Sequence, residues 1–143
     1  MRAALDMAKT AESRQEVPVG CVIVHQNEII GKGFNQPILT QDPTAHAEIV
    51  ALRDAGKNLK NYRLPGARMY VTLEPCIMCV GAIFHSRLIE VIYGARDEKF
   101  GAFGSLLDLH NHKKMHYHAQ VRSGLFAEES SGLLKQFFQS KRK

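Results

Sequence analysis

Arg68-Met69-Tyr70-Val71-Thr72-Leu73-Glu74-Pro75-Cys76-Ile77-Met78-Cys79 reads as a strand running straight into a helix. Residues 68–73 have the β-branched and aromatic character of a strand, and Pro75 suits a first helical position, where a missing N–H costs nothing. The helix is predicted to reach about residue 85. Residues 88–94, Leu-Ile-Glu-Val-Ile-Tyr-Gly, are strand-like again. Such alternation puts crossover helices on the faces of a sheet.

Working toward the N-terminus, Gln26-Asn27 separates an apolar run at 19–24, preceded by Pro18, from a second strand at 28–34, which suggests a hairpin. Asp42-Pro43 looks like the cap and first position of a helix that Gly56 ends, with Ala45, Ile49 and Leu52 at helical spacing. A first helix spans 2–14 with Ala4, Leu5 and Ala8 on one side. Toward the C-terminus, Gly101 and Gly104 mark a loop, followed by a helical piece at 106–109, a strand at 119–122 and a last helix at 126–141. The order predicts an α/β fold with a mixed sheet covered by helices. No linker, repeat or low-complexity tract divides it, so residues 1–143 read as one domain.

Composition is consistent with that. The 143 residues are 45% hydrophobic and 23% charged, which excludes disordered and collagen-like classes. No apolar run approaches the ~18 residues of a membrane span, and residues 1–10 lack the apolar centre of a signal peptide. A cytoplasmic protein is expected. The net charge of +5 is a mild bias toward polyanions. Three cysteines without an export signal argue for metal or thiol chemistry over a disulfide framework.

Two segments carry the chemistry, Thr44-Ala45-His46-Ala47-Glu48 and Pro75-Cys76-Ile77-Met78-Cys79. An i, i+3 spacing in the first turn puts both sulfurs on one face, and the helix dipole there favours the thiolates that bind zinc. His46 is a third donor of a type zinc accepts. Structural zinc sites close with four protein ligands, whereas three leave room for a reacting water. Glu48 lies about 200° around the helix from His46, so the two can approach one ion only if it sits at the helix N-terminus. Two converging helix N-termini follow, with Glu48 beside the water as a proton carrier. A thioredoxin-like Cys pair, or a closed site completed by Cys21 or a remote histidine, are the alternatives.

His46-Ala47-Glu48 with Pro75-Cys76-Ile77-Met78-Cys79 resembles the H-x-E…P-C-x-x-C signature of the zinc nucleobase deaminases. The likeness extends to Val17-Pro18-Val19-Gly20, Asp42-Pro43-Thr44, Tyr70 through Glu74, Gly81-Ala82-Ile83, His85-Ser86-Arg87, Tyr93 through Asp97 and Gly101 through Ser105, as in the bacterial tRNA-specific adenosine deaminases. That resemblance implies a cytidine-deaminase-like three-layer α/β/α sandwich around a five-stranded mixed sheet, and a homodimer. It implies one Zn2+ per subunit held by His46, Cys76 and Cys79. The reaction would be attack of water on C6 of adenosine at the wobble position of a tRNA anticodon stem-loop, giving inosine and ammonia. Glu48 would protonate N1 and then the departing amino group. By the same resemblance Asn35 would hydrogen-bond the flipped base, while Asp97, Lys99 and Phe138 would border the nucleotide and the RNA.

Some features depart from the pattern. Many members carry short leader residues ahead of the first helix, and this sequence begins inside it. Met115 is followed by His116-Tyr117 where Asn-His is usual. The stretch 110–118 is rich in histidine and lysine and reads as a solvated cationic loop near the RNA, with a second metal site as the alternative. Lys113, Lys114, Lys141, Arg142 and Lys143 are candidate phosphate contacts. A deaminase of a free base such as guanine or cytosine, and a non-catalytic zinc RNA-binding module, are the competing functions. Glu48 argues against the module, which needs no carboxylate beside an open zinc position.

Overall fold

Gln26 and Asn27 both take positive φ, 51° and 64°, between two antiparallel strands, β1 (Gly20–His25) and β2 (Glu28–Phe34). Two successive left-handed residues form the type I′ turn whose twist matches paired strands. The structure, a computed structural model, describes residues 1–142; Lys143 and its proposed phosphate contact lie outside them. On the other side of β1, β3 (Arg68–Leu73) pairs antiparallel, and β4 (Glu90–Ala95) and β5 (Gln120–Ser123) follow in parallel. The five-stranded mixed sheet has the order β2-β1-β3-β4-β5.

Helices cover both faces, giving the α/β/α sandwich of a cytidine-deaminase-like fold. The first, α1 (Arg2–Ser13), and the last, α5 (Ala127–Lys141), share one face. On the other lie α3 (Ala47–Leu59) and α4 (Ile77–Ser86), after a single turn, α2 (Pro37–Thr40). Alternation in β1 divides the core: Cys21 and Ile23 join the layer of α3 and α4, built with Met69, Val71, Val80, Ile83, Phe84 and Val91. Each such fully buried large aliphatic contributes about 1.5–3 kcal/mol from apolar burial.

Close approach between α3 and the hairpin sets the geometry on which the site depends. Ala47, Ala51 and Ala55, at i, i+4 and i+8, are fully buried. They lie over Gly31 and Gly33 of β2, where a Cβ on Gly33 would sit 2.3 Å from the Ala47 carbonyl oxygen and 2.6 Å from the Ala51 nitrogen. Only glycine lets the helix lie this near the strand.

Four sequence expectations are corrected. The helix predicted from Pro43 begins at Ala47, because the Asp42 carboxylate accepts the Thr44 N–H (2.8 Å) and hydroxyl (2.7 Å) in a turn of its own. Gly56 does not end it; the helix continues to Leu59 and closes on Lys60 in the left-handed region. Pro75 precedes the N-cap Cys76 and is not a first helical residue. No helix forms at 106–109, where the chain folds back so that Leu109 N–H bonds the Ala102 carbonyl and Gly104 N–H that of Leu107.

Candidate active site

His46 and Cys76 occupy the same structural position in different helices. Each is an N-cap with extended backbone (φ −72°, ψ 154° and φ −80°, ψ 174°). Their carbonyls accept the first helical bonds, from Val50 (3.0 Å) and Val80 (2.9 Å). The two helix N-termini converge, as the His-x-Glu and Cys-x-x-Cys spacings require. Cys76 Sγ stands 3.6 Å and Cys79 Sγ 3.5 Å from His46 Nδ1, and all three donors lie within 4.8 Å of one another.

This donor set fits zinc. A sulfur at ~2.3 Å and a nitrogen at ~2.05 Å from one tetrahedral ion stand about 3.6 Å apart, which the cluster reproduces. Among the described residues no other group of three or more such side chains is gathered, the histidines of 110–118 included. Cys21 lies fully buried in β1 and is not in the cluster, so neither fourth-ligand alternative is met.

The two clustered thiols are shifted in opposite directions. The S–H of Cys79 donates to Cys76, drawing its thiol down to about 4, with His46 adding to the effect. Cys79 is shifted upward by its bond to Cys76 and by burial. His46 is raised by its bond to Cys76. Glu48, only 4% exposed, is pushed up to about 7 by burial, against the opposing influence of Cys79 and His46. A carboxyl poised near neutrality is suited to accepting and returning a proton.

His46, Glu48 and Cys76 open into a cavity of about 1040 Å3 that also carries Asn35, Asp97, Lys99 and Phe138 on its walls, with Cys79 buried behind them. Asn35 Oδ1 accepts the Ala47 N–H at 2.9 Å, leaving the amide N–H2 as the donor it can offer a ligand. Asp97 Oδ1 accepts the N–H groups of Lys99 (3.1 Å) and Phe100 (3.2 Å), so it shapes the rim. Of the adjacent aromatics, Phe137 is buried and Phe138 faces the cavity.

Sequence reasoning missed three contributors. Arg96 and Lys135 join Lys99 and Arg142 around the cavity. Glu74, directly before Pro75-Cys76, is 2% exposed and anchors the loop 97–105; a carboxylate at the end of a buried strand was the available signal. Some proposed RNA contacts are absent from the walls. Lys113, Lys114 and the rest of 110–118 do not line the cavity. That segment packs on the end of α4, with the Tyr117 hydroxyl donating to the Leu88 carbonyl (2.9 Å) and His116 against His85. Lys141 instead donates to Gln15 at 2.8 Å.

The chain belongs to the family of the cytidine and deoxycytidylate deaminase zinc-binding region, whose model matches residues 1–95. Within that class its similarity is to enzymes named tRNA-specific adenosine deaminase. The one from Haemophilus influenzae is 51% identical across 99% of this chain and 83% of its own length. That from Bacillus subtilis is 43% identical across 100% of this chain and 89% of its own. A solved structure from studies of A-to-I editing by tRNA:A34 deaminases at the wobble position of transfer RNA is 42% identical. Its TM-score is 0.91, covering 94% of this chain and 97% of that one.

Proposed function

We propose that this protein is a zinc-dependent tRNA adenosine deaminase that hydrolyses adenosine to inosine at the wobble position of an anticodon, releasing ammonia. One observation carries the reading: the buried Glu48 carboxyl lines the cavity beside a cluster of three donors, one fewer than a closed structural zinc site would use. His46, Cys76 and Cys79 would hold one zinc per chain, which supplies Lewis acidity that makes water a nucleophile near neutral pH.

The chain's own residues account for the remaining steps. Glu48 takes one proton of the attacking water and delivers it to N1 of adenine as C6 becomes tetrahedral; it then moves the proton of the new C6 hydroxyl to the amino group, so that the C6–N bond breaks, the carbonyl forms and one ammonia leaves for one water consumed. The Asn35 amide N–H2 orients the base. Phe138 offers an aromatic wall, and Lys99, Arg96, Lys135 and Arg142 provide positive charge for phosphates. An anticodon loop presents its base with little unstacking cost, which favours a single-stranded RNA substrate.

Residues 1–143 act as one deaminase domain in this reading, in the cytoplasm where the substrate is. Among the described residues no helix is long and apolar enough to cross a membrane. In the same reading the chain works as a homodimer, as the resemblance implies.

Inosine formation on an anticodon stem-loop by zinc-loaded protein tests the reading, with Glu48→Ala alongside and free guanine and cytosine as competitors. Inosine at the wobble position, lost in the variant while zinc is retained, is expected. Ammonia from a free base without inosine would move the substrate to a small molecule.

A further inference from the structure

Every acceptor position of the Glu74 carboxylate is taken by one loop. Oε1 accepts the N–H of Asp97 (3.2 Å) and the hydroxyl of Ser105 (2.5 Å); Oε2 accepts the N–H groups of Phe103 (3.0 Å) and Ser105 (3.2 Å). A carboxylate offers about four lone-pair sites, so none remains for a ligand. The loop is also stitched to the turn that carries Cys76: Ala102 N–H donates to the Pro75 carbonyl at 2.9 Å, and Gly101 bridges to Cys76. A Cβ at Gly101 would lie 2.6 Å from the Asp97 carbonyl oxygen as well as against the Glu74 carboxylate, so glycine is required there. Between these anchors, residues 97–100 form the exposed rim of the cavity.

We propose that Glu74 is the positioning residue that sets the 97–100 rim over the cavity, and so governs affinity for the nucleic acid. This rests on the RNA deaminase reading above. Glu74 borders the cavity wall, but with its acceptor positions spent on the loop it acts on the substrate through the rim. The proposed zinc donors sit at the two helix N-termini, and the loop meets the Cys76 turn through backbone bonds that do not use the Glu74 side chain. Loss of its charge therefore acts on KM more than on kcat, whereas a merely structural residue would lower stability without that split.

Glu74→Gln is the direct test, because the amide replaces two acceptor positions by N–H donors facing N–H donors. Ser105→Ala removes one donor and supplies a milder variant should the first fail to fold. Both are assayed as zinc-loaded full chains on an anticodon stem-loop, with amide hydrogen exchange measured in parallel. Glu74→Gln is expected to raise KM about tenfold or more, with kcat within about threefold, and Ser105→Ala to raise KM by about threefold. Exchange at Phe103 and Ser105 should quicken in Glu74→Gln while β3 and β4 are unchanged. A normal KM in the folded variants, or loss confined to kcat, overturns the proposal. If the wild-type chain makes no inosine, the substrate reading fails, and exchange decides alone: quickened loop amides support the positioning role and unchanged ones refute it.

Discussion

Asn35 Oδ1 accepts the backbone N–H of Ala47 at 2.9 Å, tying the end of the hairpin to the first turn of α3, between His46 and Glu48. The bond satisfies one of the orphan donors that every helix N-terminus leaves, using a side chain twelve residues upstream. One amide thus holds the helix with its oxygen and presents its N–H2 to the cavity.

Two substitutions separate those roles. Asn35→Ala removes the cap and should cost about 1 kcal/mol of stability, together with substrate affinity. Asn35→Asp keeps an acceptor for Ala47 but no donor, so melting should stay near wild type while KM rises. An Asp variant as destabilised as the Ala variant would show that the oxygen is not the capping atom.

Thiol chemistry should report the metal directly. With zinc bound, none of the three cysteines is expected to react with iodoacetamide. After chelation Cys76, half-buried and drawn toward thiolate, should be labelled first. Cys21 should stay unlabelled until the chain unfolds, because burial excludes the reagent and pushes its thiol upward. Mass spectrometry of the labelled peptides distinguishes them. Chelation should also lower the melting temperature, since metal binding to a folded site is folding free energy.

Asp42 predicts an acid limb to stability. Its carboxyl is held below the usual range chiefly by the Thr44 hydroxyl and N–H, with Arg53 adding a weaker attraction. A group whose folded pKa is depressed contributes stability above its unfolded value, near ~3.9, and loses it as pH falls through the folded one. Asp42→Asn should therefore melt lower than wild type at pH 7, the difference vanishing toward pH 2–3, a window of roughly that kind following from the downward shift. A gap that persists in acid would assign the effect to shape instead of charge.

Glycines predict opposite outcomes on the two faces. Gly33→Ala drives a methyl into the backbone of α3 and should destabilise by about 1–3 kcal/mol or more. It should also lower zinc content, because the helix that positions His46 must shift. Gly132, within α5, has open space where a Cβ would stand, with nothing within 4 Å. Its change to Ala should stabilise by about 0.5–1 kcal/mol through helix propensity. Thermal melts with metal analysis check both.

Features encoded within one element are legible in the sequence. β1 ends and β2 begins at Gln26-Asn27, and β3 ends at Glu74-Pro75, because turn and proline chemistry is local. The start of α3 is not: Asp42-Pro43 has the composition of a helix cap, but the same carboxylate serves a tighter turn two residues on. A carboxylate at the end of a buried strand flags Glu74, but not its partners, which lie 23 to 31 residues away at no announcing spacing.

By itself the sequence determined the chemistry on offer: two sulfurs three residues apart at a helix start, a histidine and a carboxylate two apart, and a strand–helix order that forces a covered sheet. Only the tertiary structure decided that the histidine and the two sulfurs meet within 4.8 Å with Glu48 on the same cavity wall, that Asn35 spends its oxygen on a helix, that Phe138 and not Phe137 faces the cavity, and that the histidine-rich segment packs elsewhere. Spacing along one helix or strand follows from its repeat. Distances between elements depend on how closely their surfaces pack, here on Gly31 and Gly33 beneath the alanines of α3.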